Sequence, residues 1–169
     1  MLYFLNGLSD GGDIFNLFRY ISFRAGGAFF TALCFGFLFG RPMINWLKAK
    51  QKKGQPIRED GPEGHILTKQ GTPTMGGMLI LGAVVLGTMM WARLDNGYVW
   101  LVLFVTIAFG MIGFLDDYAK VTQQTHNGVS GRVRLLMGAG VAVVAGAWSM
   151  ALHPDPLVGQ LAFPIFKDA

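Results

Sequence analysis

Charged residues are scarce in this chain of 169 residues. Lys, Arg, Asp and Glu together make up 14% of it, whereas about 25% is usual in a soluble domain. So few charges cannot cover a water-facing surface, which excludes an ordinary soluble globular domain. Hydrophobic residues account for 52% of the sequence, and the mean hydropathy is +0.43. We therefore predict an integral membrane protein.

Cysteine and histidine are also rare. Cys34 is the one cysteine, so the chain cannot form an internal disulfide, and inside an apolar run it is most simply a small packing residue. His65, His126 and His153 show no ligand spacing with one another, which argues against a zinc site. A single loop histidine such as His65 is more often a surface residue than a proton-exchanging group.

The N-terminus has neither a basic region nor an Ala-x-Ala-like cleavage site, so we expect no removed signal peptide.

The net charge of +4 raises the alternative of a nucleic-acid partner. The basic residues instead flank apolar runs, and no basic DNA- or RNA-binding motif accompanies them. We therefore expect membrane topology to explain the charge, and no nucleic-acid partner.

Four apolar stretches approach the ~20 residues that cross a hydrocarbon core. Glycines recur in the second and the fourth, as is typical of membrane helices that pack closely. The sequence thus predicts an all-α polytopic membrane protein, folded as a single membrane domain over residues 1–169. Its predicted spans are residues 21–40, 74–91, 98–115 and 135–152.

Two smaller elements are predicted outside these spans. Apolar residues recur at helical spacing from Asp13 to Phe23, which indicates an N-terminal interfacial helix with Asp13 as its cap. Strand-like residues interrupted by glycine and proline over 157–166 indicate a small outer hairpin.

Lysine and arginine are distributed unevenly between the two sides of these spans. The loops 41–73 and 116–134 contain ten of them, whereas the opposite side has Arg19, Arg93 and Lys167, with Arg24 at the membrane edge. The positive-inside rule therefore places both loops in the cytoplasm and the N-terminus outside. The polar segment Lys69–Gly77 and the adjacent carboxylates Asp116 and Asp117 then share the cytoplasmic face.

Asp116 and Asp117 stand directly at the end of the apolar run Tyr98–Leu115. Charge at the edge of a hydrocarbon slab is costly and usually marks a pathway, an ion site or catalysis. On a continuing helix the two side chains point about 100° apart, and Lys120 lies on the face of Asp116, where it favours the ionised carboxylate. Such carboxylates suit Mg²⁺ shared with phosphate. A cluster that caps a span among lipid headgroups explains the spacing equally well.

The segment Gly71–Gly77 offers hydroxyls and backbone N–H groups at the start of a helix, where phosphate binds readily. It is not a P-loop, because no Gly-Lys-Ser/Thr follows its glycines. Lys69 adds a cation nearby. A turn that leads into a closely packed helix, beside a solvated lysine, is the competing interpretation.

Three segments together resemble those of the phospho-N-acetylmuramoyl-pentapeptide transferases, which belong to the polyprenyl-phosphate N-acetylhexosamine-phosphate transferases. They are Arg58–His65, Lys69–Gly77 and Gly113–Lys120. Phe23-Arg24 and Pro164–Asp168 are also similar, so the resemblance runs in order along essentially the whole chain.

The resemblance implies a reaction and a set of partners. The family moves phospho-MurNAc-pentapeptide from UDP-MurNAc-pentapeptide onto undecaprenyl phosphate, which releases UMP and forms lipid I for peptidoglycan synthesis. The reaction needs Mg²⁺ and takes place at the cytoplasmic face of the bacterial inner membrane. A homodimer is one assembly consistent with this resemblance.

The resemblance also implies roles for individual residues. Asp116 and Asp117 are candidates for activating the lipid phosphate and for organising the metal. Lys120 would hold phosphate charge. Lys69 and Thr74 would bind the nucleotide-sugar or its diphosphate, and His65 is a further substrate-binding candidate.

This chain departs from the family pattern in two respects. Arg132-Val-Arg134 stands where many members have Arg-x-Lys, and because arginine keeps the charge but changes the geometry we assign neither residue a catalytic role. The family has about ten spans of this length, with later Asn/Asp-rich and His-rich cytoplasmic segments that do not occur here. We therefore expect an N-terminal portion that is inactive alone.

Two other functions remain open on the sequence. A related transferase that acts on UDP-GlcNAc also has an acidic pair at this place. A proton-coupled transporter or channel fragment would use Asp116 and Asp117 as a relay, and it predicts carboxylates near the middle of the bilayer.

Overall fold

In the part of the chain that the structure describes, four α-helices form a bundle preceded by two short 3₁₀ helices. The computed structural model describes residues 1–10, 12–51, 75–123 and 128–152, and within these ranges it contains no β-strand. The 3₁₀ helices are Leu2–Leu8 and Ile14–Arg19, and the α-helices are α1 (Ile21–Lys50), α2 (Gly77–Trp91), α3 (Gly97–Gln123) and α4 (Gly131–Leu152). The predicted all-α class is confirmed.

Consecutive helices pack against one another as antiparallel neighbours. Between α1 and α2, Gly27 meets Trp91 at one end and Gly40 meets Leu79 at the other. Between α3 and α4, Phe104 contacts Trp148, and Asp116 pairs with Arg134 at the opposite end. The start of α2, the end of α3 and the start of α4 therefore meet at one end of the bundle, which we call the carboxylate end.

Three of the four described helices, α1, α3 and α4, are long and apolar enough to cross a membrane. α2 is equally apolar but has 15 residues, so it measures about 22 Å against a hydrocarbon core of about 30 Å. Large apolar side chains cover the outer surface, and Phe37 is 79% exposed. A surface of this kind is compatible with lipid and not with water, so the protein is embedded in a membrane.

Two helices continue beyond the spans that the sequence predicts. α1 runs on from Gly40 through Pro42 to Lys50. The proline removes only one main-chain hydrogen bond from the helix. The residues after it include good helix formers, so the helix continues. α3 extends past Leu115 to Gln123. Parts of the predicted loops 41–73 and 116–134 are therefore helical, while the limits of the membrane itself stay predictions.

The N-terminal segment differs from its prediction. The structure has a 3₁₀ helix over Ile14–Arg19 and an extended residue, Tyr20, before α1 begins. Asp13 occupies the N-cap position, as predicted, although its side chain makes no capping hydrogen bond. Its main-chain carbonyl accepts the N–H of Asn16 at 2.9 Å. The location of the N-terminal segment at the membrane interface stays a prediction. The predicted hairpin over 157–166 lies outside the described residues.

Trp91 joins α1 to α2 at the end of the bundle opposite the carboxylates. Its indole Nε1–H donates to Thr31 Oγ1 at 2.9 Å. Its ring stacks on Phe18 and meets the edge of Phe23, both at 5.9 Å between centroids. A Cβ at Gly27 would come within 2.5 Å of this ring, so the absence of a side chain there lets the two helices approach.

Candidate functional site

The two adjacent carboxylates lie on the last turns of α3. Asp116 is about 28 Å along the helix axis from the first residue of α3, which is close to a full hydrocarbon thickness. The side chain of Asp116 is 9% exposed and that of Asp117 is 34% exposed. The pair therefore stands towards the C-terminal end of α3, and its two members have different surroundings, as the helical spacing predicts.

Both oxygens of Asp116 have positively polarised partners. Lys120 Nζ lies 2.7 Å from Oδ2, one helical turn further along α3. On the other side, Oδ1 accepts the main-chain N–H of Val129 at 3.0 Å and lies 3.3 Å from Nη2 of Arg134. Two cations and a main-chain donor favour the charged carboxylate. The predicted pairing of Lys120 with Asp116 is confirmed.

Asp117 faces a different environment. Its Oδ1 lies 3.9 Å from Lys120 Nζ, so a single ammonium group stands close to both carboxylates. Both Asp116 and Asp117 line a cavity of about 720 Å³ between α2 and α3, whose wall is largely apolar. Met75, Gly77 and Met78 at the start of α2 line the same cavity. The structure thus brings the end of the polar segment Gly71–Gly77 together with the acidic pair.

The chain turns into α2 in an unusual conformation. Met75 has a φ of 75°, in the left-handed region that few non-glycine residues adopt. The N–H groups of Met78 and Leu79 donate to the carbonyls of Met75 and Gly76 at 3.2 and 3.1 Å. These two groups are therefore already bonded, and phosphate binding at this helix start depends on other donors. Lys69, Thr74 and His65 lie outside the described residues.

The acidic pair is compatible with Mg²⁺ that shares its ligands with phosphate. Among the residues that the structure describes, no three His, Cys, Asp or Glu side chains gather in a metal-binding group. Mg²⁺ is often held by one or two carboxylates together with substrate phosphates. Asp117 is the more accessible of the two carboxylates for such a metal, because its side chain is 34% exposed whereas that of Asp116 is 9% exposed.

Sequence reasoning missed three residues at this site. Gly128, Val129 and Arg134 all contact Asp116, although they are distant from it in sequence and follow no spacing rule. The available signal is the basic pair Arg132 and Arg134 at the start of α4, which the sequence places on the same side as Asp116 without showing which arginine reaches it.

Comparison with known proteins gives the same family throughout. Residues 69–81 match phospho-N-acetylmuramoyl-pentapeptide-transferase signature 1. Over 168 residues, or 99% of this chain, it is 71% identical to the phospho-N-acetylmuramoyl-pentapeptide-transferase of Dinoroseobacter shibae and 64% identical to that of Ruegeria pomeroyi. It spans 46% of the length of each of these relatives. Over almost its whole length, the chain is therefore similar to the N-terminal part of the phospho-N-acetylmuramoyl-pentapeptide-transferases.

Proposed function

We propose that the complete protein containing this chain transfers phospho-MurNAc-pentapeptide from its UDP carrier to undecaprenyl phosphate, forming lipid I and UMP. The observation that supports this most is the position of Asp117, which lines an apolar cavity together with residues of the matched signature and lies 3.9 Å from Lys120. A substrate with an apolar chain and a phosphate head needs such a boundary between lipid and polar groups.

The residues present suit phosphoryl transfer, which depends mainly on positioning and on neutralising charge. Lys120 supplies positive charge between Asp116 and Asp117. Asp117, the more exposed carboxylate, is the better placed to contact the lipid phosphate and to hold a metal. When bound, Mg²⁺ would neutralise phosphate charge and orient its oxygens.

The remaining substrate contacts are assigned to the signature and its loop. We assign Lys69 and Thr74, which both fall within the matched residues 69–81, to the nucleotide-sugar, and His65 to the same substrate. The chain by itself supplies part of a site and is expected to be inactive. Pairing of two complete copies as a homodimer belongs to the same proposal.

The two alternative functions are less well supported. A UDP-GlcNAc transferase is disfavoured because the relatives are named for the muramoyl-pentapeptide reaction. A proton relay predicts carboxylates near the middle of the bilayer, whereas Asp116 stands about 28 Å from the far end of its helix.

We also propose that the N-terminus lies outside the bacterial inner membrane and the carboxylate end in the cytoplasm. In a Cys34→Ala background, single cysteines at two exposed positions, Asp10→Cys and Lys50→Cys, report the two sides. A membrane-impermeant maleimide added to spheroplasts is expected to label Asp10→Cys and to spare Lys50→Cys. Inverted vesicles should give the reverse pattern, and labelling of Lys50→Cys in spheroplasts contradicts this orientation.

The transferase proposal is tested by measuring lipid I formation with the purified complete protein. UDP-MurNAc-pentapeptide, undecaprenyl phosphate and Mg²⁺ are expected to yield lipid I and UMP in equal amounts. Chelation with EDTA should stop the reaction, and added Mg²⁺ should restore it. A protein that accepts UDP-GlcNAc and rejects UDP-MurNAc-pentapeptide would support the alternative transferase instead.

A further inference from the structure

We propose that Arg134 is a positioning residue, which holds the Asp116 carboxylate in place together with the main chain of Gly128 and Val129. This inference rests on the proposed transferase function. It assigns a role within that function to an arginine for which the sequence predicts none.

The contacts of Arg134 connect α4 to the carboxylate of α3. Its Nη2 lies 3.3 Å from Asp116 Oδ1 and donates to the main-chain carbonyl of Val129, also at 3.3 Å. The N–H of Val129 donates to the same Oδ1 at 3.0 Å. Nη2 of Arg134 thus contacts both the Asp116 carboxylate and Val129, whose own N–H binds that carboxylate. Arg134 therefore stabilises the turn and the carboxylate together.

Gly128 closes the site from the side of the turn. A Cβ at this position would overlap Asp116 Oδ1 and would lie 2.9 Å from both its Cγ and its main-chain oxygen. The main chain thus packs directly on the carboxylate, and any larger residue has to displace one of the two. The turn before α4 therefore limits the movement of the Asp116 side chain by direct packing.

The two oxygens of Asp116 are held from opposite elements. Lys120 binds Oδ2 from within α3, whereas Val129 and Arg134 bind Oδ1 from the turn and α4. Rotation of the carboxylate would break contacts on both sides at once. Because Lys120 also lies 3.9 Å from Asp117, a fixed Asp116 sets the position of the ammonium group that faces the substrate phosphate. Loss of Arg134 should therefore affect the reaction step more than substrate binding.

Arg134→Met in the complete protein tests this role, with Arg132→Met as the matched control. Arg132 is an exposed arginine of the same helical turn, and among the described residues no ion pair joins it to Asp116 or Asp117. We expect Arg134→Met to lower kcat for lipid I formation by about tenfold, with the KM for UDP-MurNAc-pentapeptide unchanged. Arg132→Met should keep the wild-type kcat.

Two further variants separate positioning from a general loss of charge or of fold. Arg134→Lys keeps the charge without the planar fork and is expected to recover part of kcat. Gly128→Ala alters no charge but displaces Asp116, so it should lower kcat about tenfold as well, again with KM unchanged. If Arg134→Met does not accumulate in membranes, Gly128→Ala becomes the test of the proposal. An unchanged kcat for Gly128→Ala then overturns it.

The possible results distinguish this inference from the function on which it rests. A wild-type protein that makes no lipid I overturns both. An active wild type in which Arg134→Met and Arg132→Met have equal kcat overturns the positioning role alone. A fall in kcat that is matched by an equal loss of folded protein, measured by tryptophan fluorescence on heating, also overturns it.

Discussion

Asp117→Asn in the complete protein is expected to lower the rate of lipid I formation by about 10²- to 10³-fold, the usual effect of removing one preorganised group that stabilises developing charge. Its melting temperature should stay close to that of the wild type. Asp117 is one-third exposed and lies 3.9 Å from Lys120, so an amide there costs little folding energy. The lower rate should therefore come from weaker binding of the lipid phosphate and the metal, and not from loss of folded protein.

Asp116→Asn is the matched variant, and it should lower both activity and stability. Its carboxylate has Lys120 and Arg134 as partners and is almost fully buried. An amide leaves these two cations without their anion, at a cost of about 1–3 kcal/mol in the free energy of unfolding. Single-turnover rates and thermal unfolding followed by tryptophan fluorescence measure the two effects separately. An equal fall in melting temperature for both variants would contradict the different environments of the two carboxylates.

Gly27→Ala is expected to destabilise the bundle by about 1–3 kcal/mol, the usual cost of overpacking a filled space. The new methyl group would come within 2.5 Å of the Trp91 ring. That ring cannot easily move, because Phe18 and Phe23 lie against it and its Nε1–H donates to Thr31. Either α1 and α2 separate, or Trp91 leaves its position and loses this hydrogen bond.

Gly26→Ala is the control for this prediction. The neighbouring glycine lies in the same helix and has nothing within 4 Å of its ideal Cβ position, so alanine should be neutral or slightly stabilising through helix propensity. The comparison uses the thermal unfolding of both variants in the same detergent. Equal melting temperatures for Gly26→Ala and Gly27→Ala would show that Trp91 does not pack as described.

Interactions within one helix were largely predictable. The pairing of Lys120 with Asp116 follows from their separation by one helical turn, and the different surroundings of Asp117 follow from the same periodicity. The all-α membrane fold follows from the scarcity of charge and from the apolar runs. The boundaries were less predictable, because whether α1 stops before Pro42 or continues to Lys50 depends on small differences in local free energy.

The sequence by itself determined the membrane class, the resemblance to the phospho-N-acetylmuramoyl-pentapeptide transferases and the adjacent pair Asp116 and Asp117, because apolar runs, charge distribution and short motifs are local properties of the chain. Only the tertiary structure decided that Gly128, Val129 and Arg134 surround Asp116 and that Trp91 fills the space above Gly27. These contacts join residues far apart in sequence. They depend on how closely the main chain at a glycine approaches a side chain of another helix. Periodicity along the chain does not encode the distance between helices, because that distance is set when the helices pack.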